Sequence, residues 1–369
     1  MKRLVLAGGG HAHVEVLRRF ARQRVEGAEV VLVTPEAESP YSGMLPGHVA
    51  GFYSRGDIFI DVGRLASACE ARLVHARVAA IRAAHRELDL DDGTRLAYDV
   101  LSLDIGSTPA TGGARGVVAH ALPVKPIPAF LERWAALLNR AERGAVHRLA
   151  VVGGGAAGVE MLLAMQYRLA QGGGPPVEWH LLTDAAELLL VHPPAVRRIF
   201  DRVLAARGVV VHRSSPVAGV DARAVHAAGG QTLDVDATVW ATGASAAGFL
   251  RHSGLRLDAA GFVEVDTFLR STSHAEVHAA GDVASMAGMR RPKSGVYAVR
   301  QGPPLERNLR AALTGAPPAR YVPQERSLAL ISTGDRYAVA TRGGLALEGA
   351  WVWRWKDWID RRFMARYRV

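Results

Sequence analysis

With 369 residues, 49% hydrophobic and 22% charged, the chain has the make-up of a globular protein with room for two domains, which excludes a disordered or fibrous molecule. Its single cysteine, Cys69, excludes a disulfide framework, a thiolate metal cluster and a dithiol relay within the chain, and fits a reducing cytoplasm; no metal site is expected. The net charge of +10 is scattered everywhere except near the C-terminus, so nucleic acid is not an expected partner.

Met1-Lys2-Arg3 leads straight into a strand, so no cleaved signal peptide is expected. Residues 3–7 read as a buried parallel strand. Residues 11–23 read as a helix with apolar positions at Val14, Leu17 and Phe20, and 29–33 as the next parallel strand, completing a βαβ unit. Between the first strand and the helix lies Gly8-Gly9-Gly10-His11-Ala12-His13. A turn-rich segment follows, Pro40-Tyr41-Ser42-Gly43-Met44-Leu45-Pro46. Then comes an antiparallel meander over 78–81, 87–90 and 96–103, with Asp92-Gly93 as a hairpin turn.

The same strand, glycine loop and helix recur further along. Residues 148–152 are a strand, Gly153-Gly154-Gly155-Ala156-Ala157-Gly158-Val159-Glu160 a second loop, and 157–171 a helix stopped by Gly172-Gly173-Gly174-Pro175-Pro176. The apolar run 149–165 is strand–turn–helix and not a membrane span, because its glycines and Glu160 interrupt it. Strands are expected at 177–182, 209–212, 224–227 and 237–241, and again at 276–282, which ends in Gly281-Asp282. From 314 onward come a Pro-rich stretch at 316–323, a hairpin-like segment, and a tail carrying Trp351, Trp353, Trp355 and Trp358 among arginines.

Glycines at this spacing let the backbone turn out of the strand and approach a diphosphate, which the helix N-terminus then attracts. Gly153, Gly155 and Gly158 fill all three positions; in the first loop Gly8 and Gly10 do, but His13 stands third, where we expect a packing residue. Two such loops imply two dinucleotide sites, the layout of an enzyme that passes electrons between bound dinucleotides. Thr34-Pro35-Glu36 closes the first unit and Thr183-Asp184 the second, so Glu36 and Asp184 are the carboxylates available to a ribose. No arginine directly follows Thr183 to grip a 2′-phosphate, which tilts the reading to NADH over NADPH.

The paired loops together with Trp240-Ala241-Thr242-Gly243 and Ala279-Ala280-Gly281-Asp282 resemble the two-dinucleotide flavoprotein superfamily that includes glutathione reductase, over about residues 1–315. That resemblance implies an α/β fold of two nested Rossmann-like domains with a C-terminal extension. FAD would lie in a discontinuous domain of residues 1–112 and 246–315, NAD(P)H in residues 113–245, with 316–369 as the extension. It implies FAD contacts at Gly8, Gly10, His11, Ala12, Thr34, Pro35, Ser42, Val78, Asp104, Gly106, Gly281, Asp282, Tyr297 and Ala298, with Asp282 on the ribityl chain. It implies NAD contacts at Gly153, Gly155, Ala156, Gly158, Glu160, Thr183, Thr242 and Gly243.

Without a cysteine pair after the first βαβ unit, the chain is similar to the type II NADH dehydrogenase branch, which moves a hydride from NADH to FAD and electrons on to a quinone. Glu160 matches the glutamate that this branch keeps near the nicotinamide, or is a carboxylate favoured by the helix dipole. Lys293 and Tyr297 are catalytic candidates facing the flavin, or a solvated lysine and a packing residue. Gln301 is retained from the glutamine-containing segment of the quinone reducers while another expected glutamine is replaced, which leaves the acceptor open.

The segments 8–13, 40–46, 293–298 and 351–360 further resemble the oxidoreductase domain found fused ahead of selenide, water dikinase. That adds this kinase as a partner and selenium or sulfur species as alternative substrates; a flavin redox sensor or docking module is a further alternative. A homodimer is expected. On a helix, Trp351, Trp355, Trp358 and Ile359 share one face while Arg354, Lys356 and Arg361 spread over the others. This suits peripheral contact of residues 350–369 with the inner face of a membrane, or docking on the protein's own body. The expected location is cytoplasmic.

Overall fold

The computed structural model describes residues 1–289 and 291–368. The first unit forms as read: β1 (Lys2–Ala7), α1 (His11–Arg22) and β2 (Ala28–Val33), followed by β3 (Arg72–Val74). The meander is β4 (Val78–Arg82), β5 (Glu87–Leu90) and β6 (Arg95–Ala97), and β7 (Val100–Leu103) follows.

Here the sequence reading needs correction: 96–103 is not one strand. Leu96 pairs with Leu88 in the antiparallel meander, whereas Val100 to Leu103 pair parallel with Leu4 to Ala7. The chain changes sheets at Tyr98 and Asp99, whose N–H groups reach Arg86 and Arg3. The alternation of burial in β6, against four consecutive buried residues in β7, is the physical mark of a one-sided strand giving way to a two-sided one.

The second unit runs β8 (Ala121–Pro123), α2 (Ile127–Glu142), β9 (Arg148–Val152), α3 (Ala156–Gln171), β10 (Glu178–Leu182), α4 (Pro194–Ala206) and β11 (Val210–His212). A second meander, β12 (Val217–Val220), β13 (Ala224–Ala227) and β14 (Thr232–Asp234), precedes β15 (Ala237–Trp240). The chain then returns through β16 (Val277–Ala279) and α5 (Gly295–Thr314). The extension adds an antiparallel sheet, β17 (Ala329–Ser332), β18 (Ala338–Arg342) and β19 (Leu345–Gly349), and ends in α6 (Ala350–Met364).

Two parallel five-stranded sheets result, ordered β16-β7-β1-β2-β3 and β8-β15-β9-β10-β11. Each has an apolar core of its own, one around Leu4, Leu6, Leu17 and Leu101, the other around Val151, Leu162, Leu181 and Phe200. Where the chain passes between the two sheets it does so twice side by side. Thr108–Pro109 pairs with Ala244–Ser245, Ala110 donates to the Gly243 carbonyl, and Trp240 Nε1 and Thr242 Oγ1 both donate to Ala110 O.

The tail helix α6 docks on the body through Val352, Lys356, Asp360, Phe363 and Met364, while Trp351, Trp355 and Trp358 stay exposed. Lys356 is therefore not on an outer face. It is buried, and its Nζ donates to Asp360 Oδ2 at 2.6 Å and to the Gly43 carbonyl at 2.6 Å. A lysine and an aspartate one turn apart neutralise each other, which lets both be buried.

Candidate functional site

The two loops can be superposed residue on residue, five apart from first glycine to third position. Gly8 and Gly153 both take positive φ, and a Cβ on either would collide with the carbonyl of the residue just after a strand, that of Asp104 or of Ala241. Thr34 and Thr183 sit in matching places beneath the middle glycines, Gly9 and Gly154. Asp104-Ile105-Gly106 thus occupies in the first unit the place of Ala241-Thr242-Gly243 in the second.

In the second loop Gly158 packs directly on the turn, since a Cβ there would strike the Gly153 carbonyl, and Gly155 faces open space. In the first, His13 is fully buried; its Nδ1 lies 2.7 Å from the Gly8 carbonyl and its Nε2 2.8 Å from Ser102 Oγ. Because the carbonyl can only accept, Nδ1 carries the proton and Nε2 accepts from Ser102. Burial lowers the pKa of His13 to about 4, so the ring stays neutral. His13 is a packing residue, as expected, and also a hydrogen-bonded tie between loop and strand.

Around the first loop, donors suited to the anionic diphosphate of FAD are present. The N–H groups of Gly9, Gly10 and His11 have no protein partner among the described residues, and the buried His11 Nε2 is also unpartnered. Glu36 pairs with Arg77 at 3.8 Å, beside the start of β4 at Val78, and Thr34 donates to the Glu36 carbonyl. Asp282 accepts from Lys125 Nζ at 2.7 Å and from Ser107 Oγ at 3.1 Å, while the Gly281 N–H donates to Gln301 Oε1 at 2.7 Å. Gln301 is thereby occupied in holding the Gly-Asp turn.

Beside Gly281 and Asp282 opens a cavity of about 360 Å³, lined in part by Asp258, Phe262, Lys293, Tyr297 and Tyr321. The Tyr321 hydroxyl is buried without a partner among the described residues. Lys293 Nζ lies 3.8 Å from the Phe262 ring centre and donates to the Ala284 carbonyl; burial, opposed by Asp258 and Asp282, lowers its pKa to about 8. Ser42 Oγ faces Gly295, the first residue of α5, which places Ser42, Lys293, Tyr297 and Ala298 around one helix N-terminus.

Around the second loop, Thr183 is buried and its Oγ1 accepts from the Ala185 N–H, while Asp184 is exposed. Glu160 lies beyond the first turn of α3, so the dipole reading of this carboxylate loses its footing. Its Oε1 accepts the Ser332 N–H at 2.7 Å, and burial, opposed by Lys356, raises its pKa to about 7.

From Lys356 the contacts run through Asp360 to the Tyr41 hydroxyl at 3.0 Å, and the Tyr41 ring meets both Phe363 and His11. The extension therefore forms a wall that touches His11 of the first loop and Glu160 of the second. Lys125, Ser107, Tyr41, Asp360 and Ser102 escaped the sequence reading. Lys125, Ser107 and Ser102 carry no motif, while Tyr41 and Asp360 lie in segments quoted for a resemblance without a site role; Lys356 and Asp360, four apart on a helix, are a readable ion-pair spacing.

Two dinucleotide loops, each at the mouth of its own parallel sheet, with a Gly-Asp turn beside the first, define an oxidoreductase that uses FAD together with NADH or NADPH. The chain belongs to the pyridine nucleotide-disulphide oxidoreductase family, whose model matches residues 2–302. It is 26% identical over 364 residues to demethylphylloquinone reductase NdbB of Synechocystis sp., covering 94% of this chain and 88% of that protein. It is 25% identical over 280 residues to ferroptosis suppressor protein 1 of Taeniopygia guttata, covering 73% and 70%. In fold it is similar to sulfide:quinone oxidoreductase of Aquifex aeolicus, with TM-score 0.83, 15% identity, and coverage of 100% and 92%. It is likewise similar to NDH2 of Plasmodium falciparum in complex with NADH, with TM-score 0.78, 14% identity, and coverage of 99% and 98%.

Proposed function

We propose that the chain takes a hydride from NADH held on the second loop to FAD held on the first and passes the electrons to a quinone. The observation that carries this reading is the shared wall of Tyr41, Lys356 and Asp360, which links His11 of the first loop to Glu160 of the second. The division into an FAD domain (1–112 and 246–315), a nicotinamide domain (113–245) and an extension (316–369) follows from the same reading. It is supported by the paired crossing segments at Thr108–Pro109 and Ala244–Ser245.

Bound FAD supplies the two-electron chemistry between nicotinamide and acceptor. The chain's part is to hold and to orient. Gly153, Gly155, Ala156 and Gly158 present the N-terminus of α3, with Thr183, Thr242 and Gly243 framing it. Glu160, whose Oε1 accepts the Ser332 N–H of the extension, would position the nicotinamide end. Asp282, held by Lys125 and Ser107, fixes the ribityl side, while Lys293 and Tyr297 form the rim of the adjoining cavity. With one cysteine in the chain, the disulphide chemistry of the family name has no residues here to perform it.

A quinone acceptor is supported by the name of the Synechocystis relative and by the exposed row of Trp351, Trp355 and Trp358 with Arg354 on α6. Such a row suits a peripheral seat at an anionic membrane surface on the cytoplasmic side. Among the described residues no helix is long and apolar enough to cross a membrane. Association with selenide, water dikinase, turnover of selenium species and a homodimer rest on sequence resemblance alone. Steady-state NADH oxidation with naphthoquinone, benzoquinone and selenium compounds tests the acceptor. Turnover with a quinone is expected; turnover with selenium compounds alone would replace this reading.

A further inference from the structure

Asp104 stands where the second loop has Ala241, and its carboxyl fills space that the second loop leaves empty. Oδ2 accepts the N–H groups of Ala12 at 2.8 Å and His13 at 3.0 Å, the first turn of α1. A Cβ on Gly10 would collide with this carboxyl and one on Gly281 with its Oδ1, whereas a Cβ on Gly155, the counterpart of Gly10, meets nothing within 4 Å. The carboxyl is thus wedged between the phosphate loop and the Gly-Asp turn, and it is buried. A carboxylate and a diphosphate cannot both be ionised against one helix N-terminus without strong repulsion.

We propose that Asp104 is a proton-linked positioning residue of the FAD loop: the cofactor binds with Asp104 as the neutral acid, so that binding takes one proton from solvent whenever the free protein holds it ionised. The proton goes to the carboxyl and nothing is released; Oδ2 goes on accepting from Ala12 and His13. This rests on the reading that the first loop holds FAD.

In the free protein, burial first and Asp282 next raise the pKa of Asp104 to about 7, against the two N–H groups that lower it. A nearby diphosphate pushes it further in the same direction. Below pH 7 the acid is already neutral and affinity is flat with pH; above, each unit of pH weakens binding about tenfold. The other groups facing this carboxyl are few. His11 and His13 stay neutral, both with pKa lowered to about 4; Lys125 is paired with Asp282; and Lys293, lowered to about 8, reaches the region through Asp282.

The test is FAD binding to the full-length, flavin-stripped protein, followed by flavin fluorescence from pH 6 to 9 for wild type, Asp104→Asn and Lys293→Met. Wild type and Lys293→Met are expected to lose affinity from about pH 7 upward. Asp104→Asn, whose amide oxygen still accepts from Ala12 and His13, stays flat over the same range. Calorimetry of wild type at pH 8 in two buffers of different ionisation enthalpy is expected to count about one proton taken up per FAD. A pH-independent wild type, a break that survives in Asp104→Asn, or an uptake near zero overturns the proposal. Failure of wild type to bind FAD at pH 6 would instead remove the reading on which it rests.

Discussion

Gly8 to His13 and Gly153 to Gly158 are one turn built twice, and they part at two positions. The second loop has glycine over alanine, Gly158 and Ala241, so helix and strand meet backbone to backbone. The first has histidine over serine and an aspartate beneath, and joins helix to strand through three hydrogen bonds accepted by His13 Nε2 and Asp104 Oδ2. Phosphate-loop geometry is therefore reachable by close packing or by a polar clasp. The clasped loop sits next to the Gly-Asp turn and is suited to a resident cofactor. The bare loop, with open space at Gly155, suits a substrate that comes and goes.

The largest effect is expected at that open space. Gly155→Trp fills it and abolishes reduction by NADH, with loss of at least about a hundredfold, while flavin stays bound; absorbance spectra before and after NADH report both. Loss of flavin from this variant would reverse the assignment of the two loops.

Next, Asp282→Ala removes a charge-assisted partner of Lys125 and weakens FAD retention by about ten- to a hundredfold, measured as flavin content after dialysis. Unchanged flavin content would count against Asp282 as a cofactor residue.

Exchanging the third positions sharpens the contrast between the loops. His13→Gly leaves a void and an unpaired Ser102, and Gly158→Ala forces a methyl onto the Gly153 carbonyl; each costs about 2–3 kcal/mol in thermal unfolding. If His13→Gly were neutral, the clasp would be ornament.

The last effect is one of pH. Because burial raises Glu160 to about 7, the fold favours its neutral form, and its contribution is lost as pH rises from about 4.5 to about 7. Glu160→Gln is therefore expected to narrow the gap in melting temperature between pH 5 and pH 8, and an unchanged gap would place the charge elsewhere.

The βαβ units were legible because continuous apolar runs and glycine loops are local signals, and 148–152 fell where expected. The sheet change at Tyr98 and Asp99 was not, since Asp99 is the one charged residue in the run 96–103 and the two halves differ chiefly in their partners. Lys356 was placed on an outer face of the tail helix because its contact with the Gly43 carbonyl is tertiary, although its ion pair with Asp360 has a spacing readable on a helix. The glycines and Asp282 could be named from motif; Lys125, Ser107 and the Tyr41 wall could not, because they reach the site only through folding.

An anaerobic titration of the purified yellow protein with NADH, following the flavin's visible absorbance in wild type and Gly155→Trp, bears most directly on the two-loop division of labour. Rapid bleaching in wild type and none in the variant, both with FAD retained, is the expected result. FAD that stays oxidised in wild type, or bleaching in Gly155→Trp as fast as in wild type, would contradict it.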